Sequence, residues 1–288
     1  MFVETDRTMK RSKAAEITFR DHSFEECVRL DPDLAATRAE YAKKSAKRRR
    51  QAAEWEYDSA FADRLFGGAL ASAGQDPHPF GEPRWPEGVL ALAIDPLYAP
   101  ALLTVGSYEY QLGREEEAMR MFLALAALPS TVPDLPIIID KAGDFLLDED
   151  DVERARELYT AAEKAFPAVA MYPVGLGYCL GKLGKLDEAI AKAQRADELE
   201  PDNSRHLNDL GWALFEAGRL EEAEATLTRA VALAPADYDL VRENLRFVRA
   251  QRAREKRRAA GPPKRQGPRA ARRRKADPGD GKQPLLGL

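Results

Sequence analysis

Cysteine is nearly absent from this chain of 288 residues, where only Cys27 and Cys179 occur. Two thiols cannot build a disulfide framework or a cysteine-rich zinc site. Histidine is almost as scarce, with His22, His78 and His206, which leaves little material for a histidine-based metal site. Long apolar runs are missing as well. Met121–Leu128 is the longest candidate, far short of the roughly 20 residues that cross a bilayer. The opening MFVETDRTMKRSK lacks the apolar stretch of a secretory signal. H-E-x-x-H does not occur, and Lys182-Leu183-Gly184-Lys185 reads as a helix turn rather than a phosphate loop. These absences predict a cytoplasmic chain that is not an enzyme, does not span a membrane, and needs no metal or cofactor.

What is abundant is charge, and it is segregated. Charged residues make up 32% of the chain yet sum to only −4. From Arg246 to Leu288 there are 15 basic and 3 acidic residues, a local +12, so the remainder carries −16. Lys43, Lys44, Lys47, Arg48, Arg49 and Arg50 form a second basic run, which leaves −22 for everything else. An acidic body with basic ends can hold a polyanion locally. Those six residues, with Arg272, Arg273, Arg274 and Lys275, are candidates for phosphate contact through counterion release. The second cluster would also serve as a nuclear address in a eukaryote. Neither cluster contains an aromatic residue for base stacking, which argues against sequence-specific readout of nucleic acid.

An internal period organises the middle of the chain. Pro167, Pro201 and Pro235 are 34 residues apart, as are Ala155, Ala189 and Ala223, and Gly143, Gly177 and Gly211. Gly106 and Ala118 repeat the same internal offset one copy earlier, with three extra residues around Pro133-Asp134-Leu135. Each copy reads as two helices. In the last, Leu207, Leu210 and Leu214 give one apolar face at helical period, and Ala223, Leu227, Ala230 and Leu233 give another. Ala217-Gly218-Arg219 breaks the chain between them, because glycine supplies the left-handed residue that ends a helix. Leu112-Gly113-Arg114 and Leu183-Gly184-Lys185 are equivalent turns, whereas the second copy has Glu149-Asp150-Asp151. The ladder glycines fall mid-helix, where each costs roughly 0.5–1 kcal/mol against alanine. Repetition of that cost predicts close helix approach at Gly106, Gly143, Gly177 and Gly211.

At these residues the chain resembles the tetratricopeptide repeat, a 34-residue helix–turn–helix with a small residue after the first apolar pair, then A-x3-F, then proline. Leu207-x2-Leu210-Gly211-x2-Leu214, Ala223-x3-Leu227, Ala230 and Pro235 match that pattern, as do Ala142-Gly143-x2-Leu146, Ala155-x3-Tyr159, Ala162 and Pro167. Leu176-Gly177-x2-Leu180, Ala189, Ala196 and Pro201 match too, and Val105-Gly106, Ala118-x3-Phe122 and Pro129 match with the proline one residue early.

The resemblance implies an all-α, right-handed solenoid of helix–turn–helix repeats at 99–132, 136–169, 170–203 and 204–237. A capping helix is expected at 238–260, to close the last apolar face with a polar one, and a disordered basic tail at 261–288. Upstream, 1–50 is expected to be helical and partly disordered, with Asp33–Arg50 helical. Residues 51–98 are expected to hold a degenerate repeat, its first helix within Ala53–Ala73 and its second at Trp85–Ile94.

The resemblance also implies that the first helix of each repeat lines a ligand-bearing groove. The positions are Leu103, Ser107 and Tyr110; Asp140, Asp144 and Leu147; Val174, Tyr178 and Gly181; Asn208, Trp212 and Phe215. Some family members clamp a peptide carboxylate with lysine, arginine and asparagine there. In this chain Asp140, Asp144, Val174 and Tyr178 occupy those places, and an anionic peptide end would be repelled. Asp140, Asp144 and Asp148 share one helix face, since four residues turn 400°. Their mutual repulsion would be relieved by a basic partner. Tyr110, Tyr178, Asn208, Trp212 and Phe215 complete the candidate groove, the aromatics as anchors. The expected function is a scaffold that binds a protein or peptide segment, basic and apolar in character. The alternative is tethering to RNA, DNA or the ribosome through 43–50 and 246–275.

Overall fold

The computed structural model describes residues 22–68 and 85–259, with side chains for all but 58–68 and 85–87. The expectations placed on 260–288, including the tail and Arg272, Arg273, Arg274 and Lys275, lie outside the described residues, as does the loop around His78. Thirteen helices and no strand form among the described residues. The fold is an all-α solenoid.

Four helix pairs make up its body: α5 (Ala99–Gln111) with α6 (Glu115–Ala126), α7 (Leu135–Asp148) with α8 (Val152–Ala165), α9 (Met171–Lys182) with α10 (Leu186–Leu199), and α11 (Ser204–Glu216) with α12 (Leu220–Leu233). The first members pack in series, α5 on α7, α7 on α9, α9 on α11, and α11 on α13 (Asp239–Ala259). Glycine turns the corner in three pairs, at Gly113, Gly184 and Gly218, with φ of +77°, +71° and +74°. In the second pair Asp150 adopts φ 60° in that place, because aspartate tolerates the left-handed region better than most side chains.

Upstream, α3 (Ala46–Gly68) packs on α4 (Trp85–Ile94), which packs on α5. The helix expected over Asp33–Arg50 is divided. α2 (Pro32–Tyr41) ends in a turn made by the Lys43 and Lys44 amides, and α3 starts after Ser45. The Ser45 hydroxyl accepts from the Arg48 amide at 3.4 Å, so this serine acts as an N-cap inside the basic run. α1 (Phe24–Leu30) buries Phe24, Cys27 and Val28 against the array.

The ladder glycines are not equivalent. A Cβ on Gly106 would stand 2.7 Å from the Phe122 ring, and one on Gly211 2.6 Å from Leu227 Cγ. One on Gly143 would stand 2.3 Å from the Tyr159 ring. Gly177 breaks the expectation, since its nearest neighbour would be 3.5 Å away, an ordinary contact. The cause is visible 16 positions downstream of each glycine, where Phe122, Tyr159 and Leu227 are answered in the third pair by Ala193. With no bulk at Ala193, nothing presses on Gly177. The notch moves to Gly175, whose Cβ would lie 2.4 Å from Tyr159 of the preceding pair. The buried core forms two clusters, one from Phe24 to Cys179 and one from Ile190 to Val248.

Candidate partner-binding site

Burial sorts the groove positions before any hydrogen bond is considered. Asp140 is half-buried, and Asp144 and Asp148 are exposed on α7. The Tyr159 hydroxyl, anchored by the two glycine notches, donates to Asp140 Oδ1 at 3.1 Å and points to Asp144 Oδ1 at 3.5 Å. Among the described residues none of the three carboxylates forms a salt bridge. Burial first, then the Asp144 charge, pushes the Asp140 carboxyl up to about 6, and partial desolvation by the surrounding helices, followed by the Asp148 charge, raises Asp144. Beside them the Tyr172 hydroxyl is fully buried without a hydrogen-bond partner and feels the Asp140 charge.

A carboxyl whose folded value lies above its free value binds its proton more tightly in the folded chain. Ionising it therefore costs stability, and that cost grows as pH rises from about 4 through about 6. Asp140→Asn keeps an acceptor for Tyr159 and removes the charge. It is expected to raise Tm by roughly 1–3 °C at pH 7.5. Calorimetric melts should show the advantage narrowing through pH 6 and closing below pH 4. A constant advantage at all pH values would mean that Asp140 is not the titrating group.

The aromatic positions gather at the other end. Trp212 lies 5.1 Å from Phe215, and Phe247 of α13 lies 5.3 Å from Phe215 and 6.1 Å from Trp212. Trp212 Nε1 donates to Glu216 Oε1 at 2.9 Å, which fixes the indole. Phe247 is 51% exposed, so the cluster stays open to solvent. Tyr178 is exposed on α9, between the acidic and aromatic groups, with Lys182 Nζ 5.7 Å from its ring centroid.

Two groove positions serve the scaffold itself. Asn208 is buried, donates to Asp209, and accepts from Asn244 of α13 at 2.9 Å. The capping helix thus occupies the place where a ligand would meet Asn208. The Tyr110 hydroxyl donates to Asp151 Oδ2 at 2.9 Å while its ring packs edge-on to Phe145 at 5.5 Å. Burial, reinforced by Asp151, pushes this phenol up to about 12. Sequence reasoning missed Tyr159, Tyr172 and Phe247. Phe247 did carry a signal, since it falls off the buried Val241, Leu245, Val248 stripe of its own helix.

Of the basic residues, Lys43, Lys44, Lys47 and Arg48 are exposed, while Arg49 and Arg50 are half-buried. Arg49 Nε lies 3.9 Å from Asp95, and its guanidinium donates to the Lys44 carbonyl. On α13 the charge is partly neutralised within the fold. Arg249 pairs with Glu224 at 2.9 Å, and Arg252 with Glu221 at 2.7 Å and Glu224 at 2.6 Å. Both thiols are buried and pushed up to about 11, first by burial, so neither is a ready nucleophile. Among the described residues no helix is long and apolar enough to cross a membrane, and no side-chain cluster is arranged to hold a metal.

Residues 141–204 and 180–245 match two family models, each described as tetratricopeptide repeat. No curated protein sequence matches the chain. Solved structures with a similar fold include the tetratricopeptide-repeat domain of Sgt2 from Aspergillus fumigatus, 21% identical, covering 51% of this chain and 98% of that one with a TM-score of 0.43. TTC0263, a tetratricopeptide-repeat protein of Thermus thermophilus, is 23% identical, with coverages of 58% and 89% and a TM-score of 0.41. The first such domain of Spaghetti (RPAP3), bound to the HSP90 peptide SRMEEVD, is 21% identical, with coverages of 41% and 93% and a TM-score of 0.38.

Proposed function

This chain is a tetratricopeptide-repeat protein through residues 141–245, and on that premise we propose that it is a non-catalytic scaffold whose groove binds a protein segment both basic and apolar. The observation that carries this reading is the run of carboxylates at Asp140, Asp144 and Asp148, two of them raised by desolvation and mutual repulsion, with no salt bridge to them among the described residues. A lysine or arginine entering there relieves like-charge repulsion and forms charge-assisted hydrogen bonds. Trp212, Phe215 and Phe247 offer an apolar anchor two helices away, of the kind that dominates binding energy. An acidic peptide of the SRMEEVD type would meet repulsion at α7.

The test is binding of a fluorescein-labelled peptide of alternating arginine and leucine to the full chain, followed by anisotropy. Asp144→Lys is expected to weaken it at least tenfold at 50 mM salt, and raising salt to 0.5 M should weaken binding to the parent by a similar factor. Melting curves confirm that the variant stays folded. Equal affinity for parent and Asp144→Lys, or preference for an acidic peptide, would overturn the reading.

A further inference from the structure

The groove has two unlike ends. α7 presents carboxylates, and α11 with α13 presents an aromatic cluster whose Phe247 is 51% exposed. α9 lies between them. Helix axes in contact are about 8–10 Å apart, so the two ends are separated by roughly 16–20 Å.

The chain carries a segment with the same two features. Arg272, Arg273, Arg274 and Lys275 are followed, ten residues on, by Leu285, Leu286 and Leu288 in the sequence QPLLGL. Ten residues of chain reach at most about 33–36 Å, which covers the spacing of the two ends. Attachment is also favourable. α13, which supplies Phe247, leads directly into this segment. Phe247 lies 12 residues before Ala259, about 18 Å along the helix at 1.5 Å per residue. The 25 residues from 260 to 284 reach at most about 80–90 Å, enough to return to Phe247. Basic charge faces acidic charge, and leucines face the open aromatics.

The geometry points to intramolecular docking. Leu285 and Leu286 seat against Trp212, Phe215 and Phe247, with Arg272–Lys275 along Asp140, Asp144 and Asp148, so that the chain's own segment competes with an external partner. This rests on the reading of the groove as a site for basic and apolar segments.

The experiment places the photo-cross-linker p-benzoylphenylalanine at Phe247 of the full chain, irradiates at 50 mM salt, and maps products by tryptic mass spectrometry. The expected product joins Phe247 to the peptide Gln283–Leu288 within one copy, and Leu285→Ser with Leu286→Ser should remove it. The same double variant, without the cross-linker, should bind the arginine–leucine peptide at least threefold more tightly than the parent. Absence of that cross-link, or a cross-link only between two copies, overturns the docking. If the peptide binds and Asp144→Lys weakens it while no such cross-link forms, the groove reading stands and the docking falls. If the cross-link forms within one copy and neither chain binds the peptide, the contact of Leu285 and Leu286 with the aromatic cluster stands, and the competition falls with the groove reading.

Discussion

Gly143→Ala is expected to destabilise the chain by about 1–3 kcal/mol, the usual cost of overpacking a close-packed site, while Gly177→Ala is expected to stabilise it by up to about 1 kcal/mol. The two glycines hold the same place in consecutive 34-residue copies. What separates them is the facing residue. At Gly143 a methyl group would enter the Tyr159 ring at 2.3 Å. Tyr159 has little freedom to retreat, because its other face fills the Gly175 notch and its hydroxyl is tied to Asp140 at 3.1 Å. At Gly177 the new methyl meets only ordinary contacts, none nearer than 3.5 Å. There the gain is the backbone freedom that glycine loses on becoming helical. Urea unfolding followed by circular dichroism checks both. A loss at Gly177 equal to that at Gly143 would show that the glycines serve a common purpose unrelated to the facing side chain.

The pair also marks where sequence stops and structure begins to inform. A fixed period makes helices, turns and small-residue positions legible, since each copy must bury the same faces against its neighbours. The third copy's exception was legible too, because Ala193 stands where the others carry Phe122, Tyr159 or Leu227. Contacts that break the period were not. Asn244 reaches Asn208 across 36 positions, and the Tyr159 hydroxyl reaches Asp140 across 19. A polar side chain on a groove face gives no sign of whether it meets solvent or a second helix. Asn208 was therefore grouped with Trp212 and Phe215, although α13 covers it. Phe247 entered the site for the converse reason, since the capping helix lines the groove's end with residues outside the repeat.

Arg114→Met should cost about 3–5 kcal/mol, the penalty for leaving a buried charge without its partner. Glu109 of α5 is fully buried. Its carboxylate accepts from Arg114 Nε on one oxygen and from the Phe24 amide on the other, the latter at 2.6 Å across 85 positions. Burial raises the Glu109 carboxyl even against those two favourable contacts, so desolvation outweighs the pairing. Removing the arginine leaves only the Phe24 amide to oppose desolvation. Replacing both members tests this account directly. In the double variant Glu109→Gln, Arg114→Met the amide oxygen still accepts from Phe24 N–H, and no charge remains buried. Stability should return to within about 1–2 kcal/mol of the parent, measured by urea unfolding. Hydrogen exchange at the Phe24 amide should be fast in Arg114→Met and slow again in the double variant, because this bond ties α1 to the array. If the double variant is as unstable as Arg114→Met, the arginine acts by packing rather than by charge.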